Sequence, residues 1–509
     1  MELGRRGCLG MLAGCLILAG CTSSRSEPAT ASSSVQPPTA ALSAQPRHTD
    51  WSDAVVYFVI VDRFADGAAD NNVEVDVAQP GYFHGGDLVG LTARLDEIAD
   101  LGVTAIWITP VVDNIDGFVT GAGFPDWAYH GYWAEDFHAL DERFGTEAEL
   151  QAFVDACHAR GIAVLLDVVY NHAGYDAGYI EDPNFRPWLR VYGECGDDDL
   201  TMCVGGLPDW RTELPEVADW LLDTHIPLAE RVGLDGFRLD TVKHVGHPFW
   251  QRHRALTREH LGGDFFLLGE VWGGDPDVLD PYFENDEMDA GFDFSFAGSV
   301  AAWVQGRGRT IAFDRYLERR HRTRDGYHLA HYLSSHDVET LPSVLGGDWA
   351  LYRLAVALQM TTVGIPVMYY GEEVGRLGGQ WPDNRSDHPW GDLGVKPGAG
   401  LERDEDLRAF VTEMVGIRRA HPALSRGAYR GLSNDGDVLL FAREHAGADT
   451  VVVALNRGRA AASVTVDAPA EWSGRSVRDH IGVEEMTVDA DGRLALDMPP
   501  LSVRVMTAK

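Results

Sequence analysis

Residues 236–244 read Gly-Phe-Arg-Leu-Asp-Thr-Val-Lys-His, a short apolar run that ends in a cluster of polar side chains. Arg238 and Asp240 lie two residues apart, so on an extended strand their side chains point the same way. Three further acids stand at or just after the end of a β-type run, namely Asp167, Glu270 and Asp337. Acids so far apart in sequence can meet if these strands are parallel, because the carboxyl ends then lie at one edge.

β-type runs alternate with helical patterns on both sides of this segment. The β-type runs cover residues 55–61, 103–110, 162–169, 236–239, 265–271, 329–333 and 365–370. The helical patterns cover residues 91–101, 146–160, 215–232, 248–261, 349–363 and 405–420. Such alternation implies parallel βαβ units. About eight units over about 370 residues favour a closed (β/α)8 TIM barrel of the α/β class over an open sheet.

Two segments break the alternation. Residues 173–214 are rich in Gly, Asp and Pro, which predicts a loop domain inserted after the third strand. After about residue 425, short strands separated by turns predict a C-terminal antiparallel β-sandwich, over residues 425–509. The barrel is therefore expected in two parts, residues 51–172 and 215–424.

The first 21 residues predict an export signal. Arg5 and Arg6 precede an apolar stretch that is too short to span a membrane, and Leu18-Ala-Gly-Cys21 resembles a lipoprotein cleavage box. We expect Cys21 to be lipidated and to anchor the protein to a bacterial membrane, facing the periplasm or the cell exterior. An ordinary secretory signal is the alternative. Residues 22–50, rich in Ser, Ala, Pro and Thr, predict a flexible linker.

The composition restricts the possible partners. The formal net charge is −36, from 42 Lys and Arg against 78 Asp and Glu. Such a surface repels nucleic acid and anionic membranes but not a neutral sugar polymer, so no nucleic-acid partner is expected. The protein is expected to be a monomer. Cys195 and Cys203 flank a short acidic loop, and export would allow them to form a disulfide.

The acids suit the cleavage of a glycosidic bond. Hydrolysis with retention needs a carboxylate nucleophile and a carboxylic acid about 5–5.5 Å apart. Arg238 would keep Asp240 ionised, as a nucleophile requires. Glu270 follows the apolar residues 265–268 and precedes Trp272, a setting that raises the pKa of an acid.

Seven motifs resemble the α-amylase family, glycoside hydrolase family 13, over residues 51–509. They are Gly102–Pro110, Asp167–His172, Leu207-Pro-Asp209, Gly236–His244, Gly269-Glu-Val-Trp272, Ser335-His-Asp337 and Gly364–Glu372. The resemblance implies that Asp240 is the nucleophile, Glu270 the general acid/base and Asp337 a third carboxylate that stabilises the transition state. It implies that Asp167 supports the site.

The resemblance also implies a set of substrate contacts. They are Tyr132, His172, Arg238, Lys243, His244, His336, Asp383 and Arg385. Lys243 and His244 match the family's contacts on the acceptor side of the scissile bond, and Asp383 and Arg385 match contacts on the donor side. Ser335 stands where chloride-dependent members carry Asn, so no chloride is expected.

The resemblance also implies a binding site for a structural Ca²⁺ ion, which prefers oxygen ligands. The positions that match the family's main site are Asn171, Asp209 and the main-chain carbonyl of His244, with an acidic side chain from residues 197–199 as a further candidate. A second possible site resembles the calcium loop of cyclodextrin glycosyltransferases, except that Ala68 cannot bind the ion. Its candidate ligands are Asp66, Asn71, Asn72 and Asp87.

The loops favour an endo-acting α-1,4-glucanase that degrades starch, glycogen or maltodextrins. Leu207-Pro-Asp209 and the Lys243-His244 pair resemble amylase versions of these motifs. A single C-terminal β-domain argues against a cyclodextrin glycosyltransferase, and the lack of a domain before Trp51 argues against a neopullulanase.

Residues 334–337, Ser-Ser-His-Asp, also occur in exo-acting and cyclodextrin-degrading relatives. The alternatives are therefore a hydrolase of cyclodextrins or maltooligosaccharides, or a 4-α-glucanotransferase. A non-catalytic glycan-binding protein is the remote alternative, and the presence of all three acids argues against it.

Overall fold

A computed structural model describes residues 50–121, 123–482 and 485–509. The expected export signal, with Cys21, and residues 22–49 of the expected linker lie outside the described residues. Within the described ranges, no helix is long and apolar enough to cross a membrane.

Eight parallel strands close a barrel. They are β1 (Val56–Val59), β2 (Ala105–Ile108), β3 (Ala163–Val168), β4 (Gly236–Leu239), β5 (Phe266–Gly269), β6 (Ala290–Phe292), β7 (His328–Tyr332) and β8 (Ile365–Tyr369). Their order around the barrel follows the chain, with β8 pairing back to β1. The predicted TIM barrel is confirmed.

The sequence predicted seven of these strands and missed β6. This strand is only three residues long, Ala-Gly-Phe, and lacks the β-branched run that marks the others. It still completes the barrel, because Ala290 pairs with Leu268 of β5 and with His328 of β7. The helices Pro276–Glu284, Ser295–Val304 and Thr310–Arg319, which lie between β5 and β7 in the chain, were also missed.

The other helices are Leu88–Ala93, Leu95–Ala99, Glu147–His158, Pro215–Val232, His247–Leu261, Leu341–Val344, Trp349–Thr361, Glu405–Ala420 and Pro422–Arg426. Local signals fix several of their ends. Thr146 and Glu149 form a capping box before Glu147–His158. Pro215 occupies the first turn of Pro215–Val232, and Gly233 ends it in the left-handed region at φ 76°.

Two loops after the early strands are long and structured. After β2, strand Val112–Asn114 pairs with Ala134–Leu140, and Phe118–Thr120 pairs with Pro125–Trp127. After β3, the inserted segment contains a short antiparallel pair, Leu189–Arg190 with Asp209–Trp210, and a disulfide between Cys195 and Cys203. The pairings after β2 were not predicted.

The chain ends in two packed antiparallel sheets, which confirms the predicted C-terminal β-domain. A six-stranded sheet has the order β9 (Ala428–Ser433), β10 (Val438–Glu444), β11 (Val451–Asn456), β16 (Ser502–Ala508), β13 (Ser476–Asp479) and β14 (Glu485–Thr487). A two-stranded sheet pairs β12 (Ala462–Asp467) with β15 (Arg493–Met498). Buried Arg443 of β10 fastens this domain to the barrel by donating to the main-chain carbonyl of Thr361 at 2.6 Å.

Candidate active site

A cavity of about 530 Å³ contains Asp240, Glu270 and Asp337, each of which follows the carboxyl end of a barrel strand. Six of the expected substrate contacts also line it: Tyr132, His172, Lys243, His244, His336 and Arg385. Further residues on its wall are Asp126, His130, Trp133, Val204, Leu207, Thr241, Trp272 and Trp381. The structure therefore brings together the three acids and most of the residues that the motifs singled out.

Arg238 lies at the centre of the acids and is 2% exposed. Its Nη1 donates to Asp240 Oδ1 at 2.6 Å, and its Nη2 lies 3.0 Å from Glu270 Oε1. The barrel register produces this arrangement, because Leu239 of β4 pairs with Gly269 of β5, which places the next residues, Asp240 and Glu270, side by side. The guanidinium gives the Asp240 carboxylate a charge-assisted hydrogen bond that fixes its orientation.

Asp167 lies beneath the catalytic acids and pairs in register with Arg238 across β3 and β4. Its carboxylate accepts hydrogen bonds from Arg238 Nη1 at 3.0 and 3.1 Å, from Trp107 Nε1 at 3.0 Å and from Tyr132 Oη at 2.6 Å. Burial raises the pKa of Asp167 to about 7, but every one of these contacts donates a hydrogen to the carboxylate. The ionised form therefore satisfies its surroundings, and Asp167 orients Arg238.

Glu270 has the features of a general acid. Burial raises its pKa to about 8, and the charges of Asp240 and Asp337 act in the same direction while Arg238 opposes them. Its Oε2 accepts from the main-chain nitrogen of Thr241 at 3.0 Å. Thr241 has a left-handed backbone at φ 47°, which is unusual for a β-branched residue and directs this N–H toward Glu270.

The third acid, Asp337, follows β7 and contacts His336 from the same loop and Arg385 from the loop after β8. Asp337 lies 3.3 Å from His336 Nε2 and accepts from Arg385 Nη2 at 3.3 Å. The ring of Tyr132 stacks on His336, with centroids 5.2 Å apart. Gly131 makes the approach of Tyr132 possible, because its φ is 89° and a Cβ there would meet the Pro110 carbonyl at 2.1 Å.

Lys243 and His244 form one end of the cavity and contact the inserted segment. Lys243 Nζ lies 3.1 Å from Asp199 Oδ2, and His244 Nδ1 lies 2.9 Å from the Asp199 carbonyl. Asp199 belongs to the loop that the Cys195–Cys203 disulfide closes. The disulfide thus helps to hold this end of the cavity.

The expectation for Asp383 is not supported by the geometry. Asp383 is exposed on the short helix Asp383–Arg385 and is not among the residues that line the cavity, whereas Arg385 is. Three residues that line the cavity lie close in sequence to predicted site residues. His130 and Trp133 flank Tyr132, and Trp272 follows Glu270 by two positions within the same motif. The sequence analysis did not assign Asp126 or Trp381, although Trp381 lies two residues before Asp383.

Comparison with known families agrees with this geometry. The model of the α-amylase catalytic domain matches residues 58–186 and 199–413. The chain belongs to the α-amylase family. It is a glycoside hydrolase of family 13, and the model of the maltogenic amylase C-terminal domain matches residues 429–505.

Individual α-amylase family members of different activities resemble this chain about equally. A cyclomaltodextrinase from Geobacillus thermopakistaniensis is 28% identical, over 89% of this chain and 76% of its own length. The crystal structure of an Anoxybacillus α-amylase superposes with a TM-score of 0.78 at 30% identity, over 91% of this chain and 99% of that one. A cyclomaltodextrin glucanotransferase with a three-domain architecture gives a TM-score of 0.77 at 28% identity, over 89% and 99%.

The third of these structures overturns one expectation. A single C-terminal β-domain was expected to argue against a cyclodextrin glycosyltransferase, but a three-domain glucanotransferase superposes on nearly all of this chain. Domain count therefore does not separate these activities.

The main calcium site that the sequence analysis anticipated has a donor set that does not fit the ion. Asn171 has a buried Oδ1 without a hydrogen-bond partner, as a ligand would. Asp209, however, accepts from Arg190 Nη1 at 2.7 Å, and Arg190 also pairs with Glu213. A guanidinium thus neutralises the carboxylate that calcium would need, and it holds the two strands of the inserted segment together.

In the second candidate loop, both carboxylate oxygens of Asp87 already accept main-chain N–H groups, so the oxygens left for a cation are chiefly those of amide side chains. Asn71 and Asn72 each have a buried Oδ1 without a partner. Their amide nitrogens donate to Asp87 Oδ2 at 3.3 Å and to Asp66 Oδ2 at 3.1 Å, so turning either amide would direct its oxygen at a carboxylate. No group of three or more His, Cys, Asp or Glu side chains suited to a metal occurs in the described part of the chain, so this site depends on Asn oxygens.

The raised pKa of Glu270 predicts the alkaline limb of the pH profile. A pKa of about 8 means that Glu270 is protonated at neutral pH and loses its proton as pH rises through 8. We expect kcat/KM for a maltooligosaccharide to fall above about pH 8, because the leaving oxygen then receives no proton. Glu270→Gln should lower the activity by about 10²–10⁴-fold and remove this limb.

An α-maltosyl fluoride provides the control, because fluoride departs without a proton. Its hydrolysis should lack the alkaline limb in the first, glycosylation step. A limb that remains in Glu270→Gln, or with the fluoride under single-turnover conditions, would show that another group is responsible.

Proposed function

We propose that the protein is a retaining, endo-acting hydrolase of α-1,4-glucosidic bonds in starch, glycogen or maltodextrins. The observation that carries this proposal is the contact of one buried guanidinium, that of Arg238, with both Asp240 and Glu270 at the floor of the cavity. Exposed tryptophans at two places on the wall, Trp272 at 53% and Trp381 at 41%, support a cleft through which a long glucan passes.

The first half of the reaction forms a covalent intermediate. An Asp240 carboxylate oxygen attacks C1 of the sugar, the bond from C1 to the glycosidic oxygen breaks, and Glu270 transfers its proton to the departing oxygen. Asp337, His336 and Arg385 are placed to bind hydroxyls of the reacting sugar.

The second half releases the sugar with its original configuration. Glu270, now a carboxylate, accepts a proton from water as the water oxygen attacks C1, and the ester bond to Asp240 breaks. Two inversions at C1 give net retention. Arg238 contacts both carboxylates, so it stabilises whichever of them bears the negative charge at each stage.

A specific observation favours a second candidate. Lys243, His244 and Trp272 can hold a sugar where the leaving group departs, and if that sugar attacks in place of water the enzyme transfers glucan chains. Two alternatives to the endo-acting hydrolase therefore remain: a hydrolase of cyclodextrins or maltooligosaccharides, and a 4-α-glucanotransferase. Relatives named as a cyclomaltodextrinase and a cyclomaltodextrin glucanotransferase support them.

The product-length profile from soluble starch over time tests the proposal, with a cyclodextrin in parallel. We expect mixed oligosaccharides, a rapid loss of iodine staining and slow cyclodextrin cleavage. Asp240→Asn should lower activity by at least about 10⁴-fold, because the amide is a poor nucleophile. Asp235→Asn, at the opposite end of β4, is the matched control and should retain most activity.

A single short product from the start, or faster cleavage of the cyclodextrin, would favour the second candidate. Binding of starch without release of reducing sugar by the wild type would contradict enzymatic function altogether.

We also propose that the loop with Asp66, Asn71, Asn72 and Asp87 binds a structural calcium ion. The partnerless oxygens of Asn71 and Asn72 support this site. Chelation should lower the melting temperature of the wild type by roughly 5 °C, since a bound ligand stabilises only the folded state. Asn72→Ala should melt at one temperature with or without chelator, whereas Asn171→Ala should remain sensitive. If the melting temperature of Asn72→Ala still falls with chelator, the ion binds elsewhere.

We further propose export and lipid anchoring through Cys21. The disulfide between Cys195 and Cys203 supports an oxidising compartment. Cys21→Ala should move the protein from the membrane fraction to the soluble fraction without loss of specific activity. Membrane association that does not change would rule out this anchor.

A further inference from the structure

Two aromatic side chains from separate loops meet at the wall of the cavity. The rings of Phe124 and Trp381 have centroids 5.2 Å apart and a tilt of 31°. Trp381 lines the cavity and is 41% exposed, so part of the indole faces solvent. The catalytic chemistry uses neither residue, and a tryptophan this exposed gains little from packing alone.

Asp126 lies in the same part of the wall and has an unused acceptor. It is 8% exposed, lines the cavity, and its Oδ1 has no hydrogen-bond partner. A buried carboxylate oxygen without a donor is unfavourable unless a ligand provides one. A sugar hydroxyl is a ligand group that donates such a hydrogen bond. Asp126 follows Phe124 by two residues, so the loop after β2 provides both the ring and the acceptor.

The barrel order places these residues at one particular end of the cleft. Trp381 follows β8, which lies four positions around the barrel from β4. Lys243 and His244 follow β4 and form the end that contacts the inserted segment. Trp381 is therefore across the barrel from Lys243 and His244.

The position of Glu270 indicates which side of the scissile bond binds at the Trp381 end of the cleft. Glu270 accepts from the main chain of Thr241, so the proton donor lies on the β4–β5 side of the cleft. The leaving group departs where it receives its proton, which is the side of Lys243 and His244. The part of the chain that remains attached to Asp240 must then extend toward Trp381.

We propose that Phe124, Asp126 and Trp381 form a donor-side sugar-binding subsite that makes the enzyme prefer glucans with several glucose units on the non-reducing side of the scissile bond. The indole stacks on the apolar face of one glucose, with Phe124 supporting it from behind, while Asp126 accepts a hydrogen bond from a hydroxyl. This inference rests on the proposed hydrolysis of α-glucosidic bonds and names a determinant of its chain-length specificity.

Chromogenic substrates that differ only in donor length test the subsite. 4-Nitrophenyl α-glucoside occupies one donor position, and 4-nitrophenyl α-maltotrioside occupies three. Trp381→Ala should lower kcat/KM for the maltotrioside by about 10–30-fold, mainly through KM, and change that for the glucoside by less than about twofold. Trp381→Phe should recover most of the loss, and Asp126→Asn should lower the maltotrioside value by a smaller factor.

Tyr192→Ala is the matched control, because Tyr192 is 94% exposed, lies in the inserted segment and is not part of the cavity wall. It should leave both substrates unaffected. Equal losses on both substrates in Trp381→Ala, or no loss on the maltotrioside, would overturn the proposed subsite.

Binding to the inactive Asp240→Asn protein keeps this test separate from the proposed reaction. If the wild type cleaves neither substrate, the proposed function fails, but maltotriose binding can still be measured by calorimetry. Adding Trp381→Ala to Asp240→Asn should weaken that binding about tenfold or more. Unchanged binding would overturn the subsite regardless of catalysis.

Discussion

The buried guanidinium of Arg238 is the interaction on which the site depends. It contacts Asp167, Asp240 and Glu270, so one positive charge faces three carboxyl groups in a place with little access to water. Three ionised carboxylates around one cation would leave two uncompensated buried charges, which is costly. A proton on one carboxyl relieves part of this cost. Asp167 accepts hydrogen bonds from three side chains, those of Arg238, Trp107 and Tyr132. Glu270 contacts one side chain and one main-chain N–H, and burial raises its pKa to about 8, so we assign the proton to Glu270, where catalysis needs it.

The barrel provides the rigidity that this arrangement requires. Arg238 pairs in register with Asp167, and hydrogen bonds between β4 and its two neighbours fix the positions of Asp240 and Glu270. The loops after the strands form the walls of the cleft. Asp199 from the disulfide-closed loop contacts one end of the cleft, and Trp381, against which Phe124 packs, forms another part of its wall. The catalytic acids thus follow strand ends and loops form the walls of the cleft, a division expected for this fold.

The sequence was most informative where side chains follow from strand geometry. The spacing of Arg238 and Asp240 predicted their shared direction, and the acids at strand ends predicted the cavity. The three-residue strand β6 gave too short a signal. The contact of Phe124 with Trp381 requires two loops without periodicity to meet, and no sequence pattern predicts which loops pack together. Resemblance suggested Asp209 as a calcium ligand, but the position of Arg190 beside it becomes visible only when Leu189–Arg190 and Asp209–Trp210 pair.

Identification of the residue that bonds to the sugar tests the central claim most directly. A 5-fluoro α-glycosyl fluoride of glucose or maltose reacts with a retaining enzyme and then hydrolyses slowly, because fluorine destabilises positive charge at the reacting carbon. Mass spectrometry of the digested protein should find the added sugar on the peptide that contains Asp240, and Asp240→Asn should remain unlabelled. A label on Asp167 or Asp337, or rapid turnover with inversion and no label, would contradict the account.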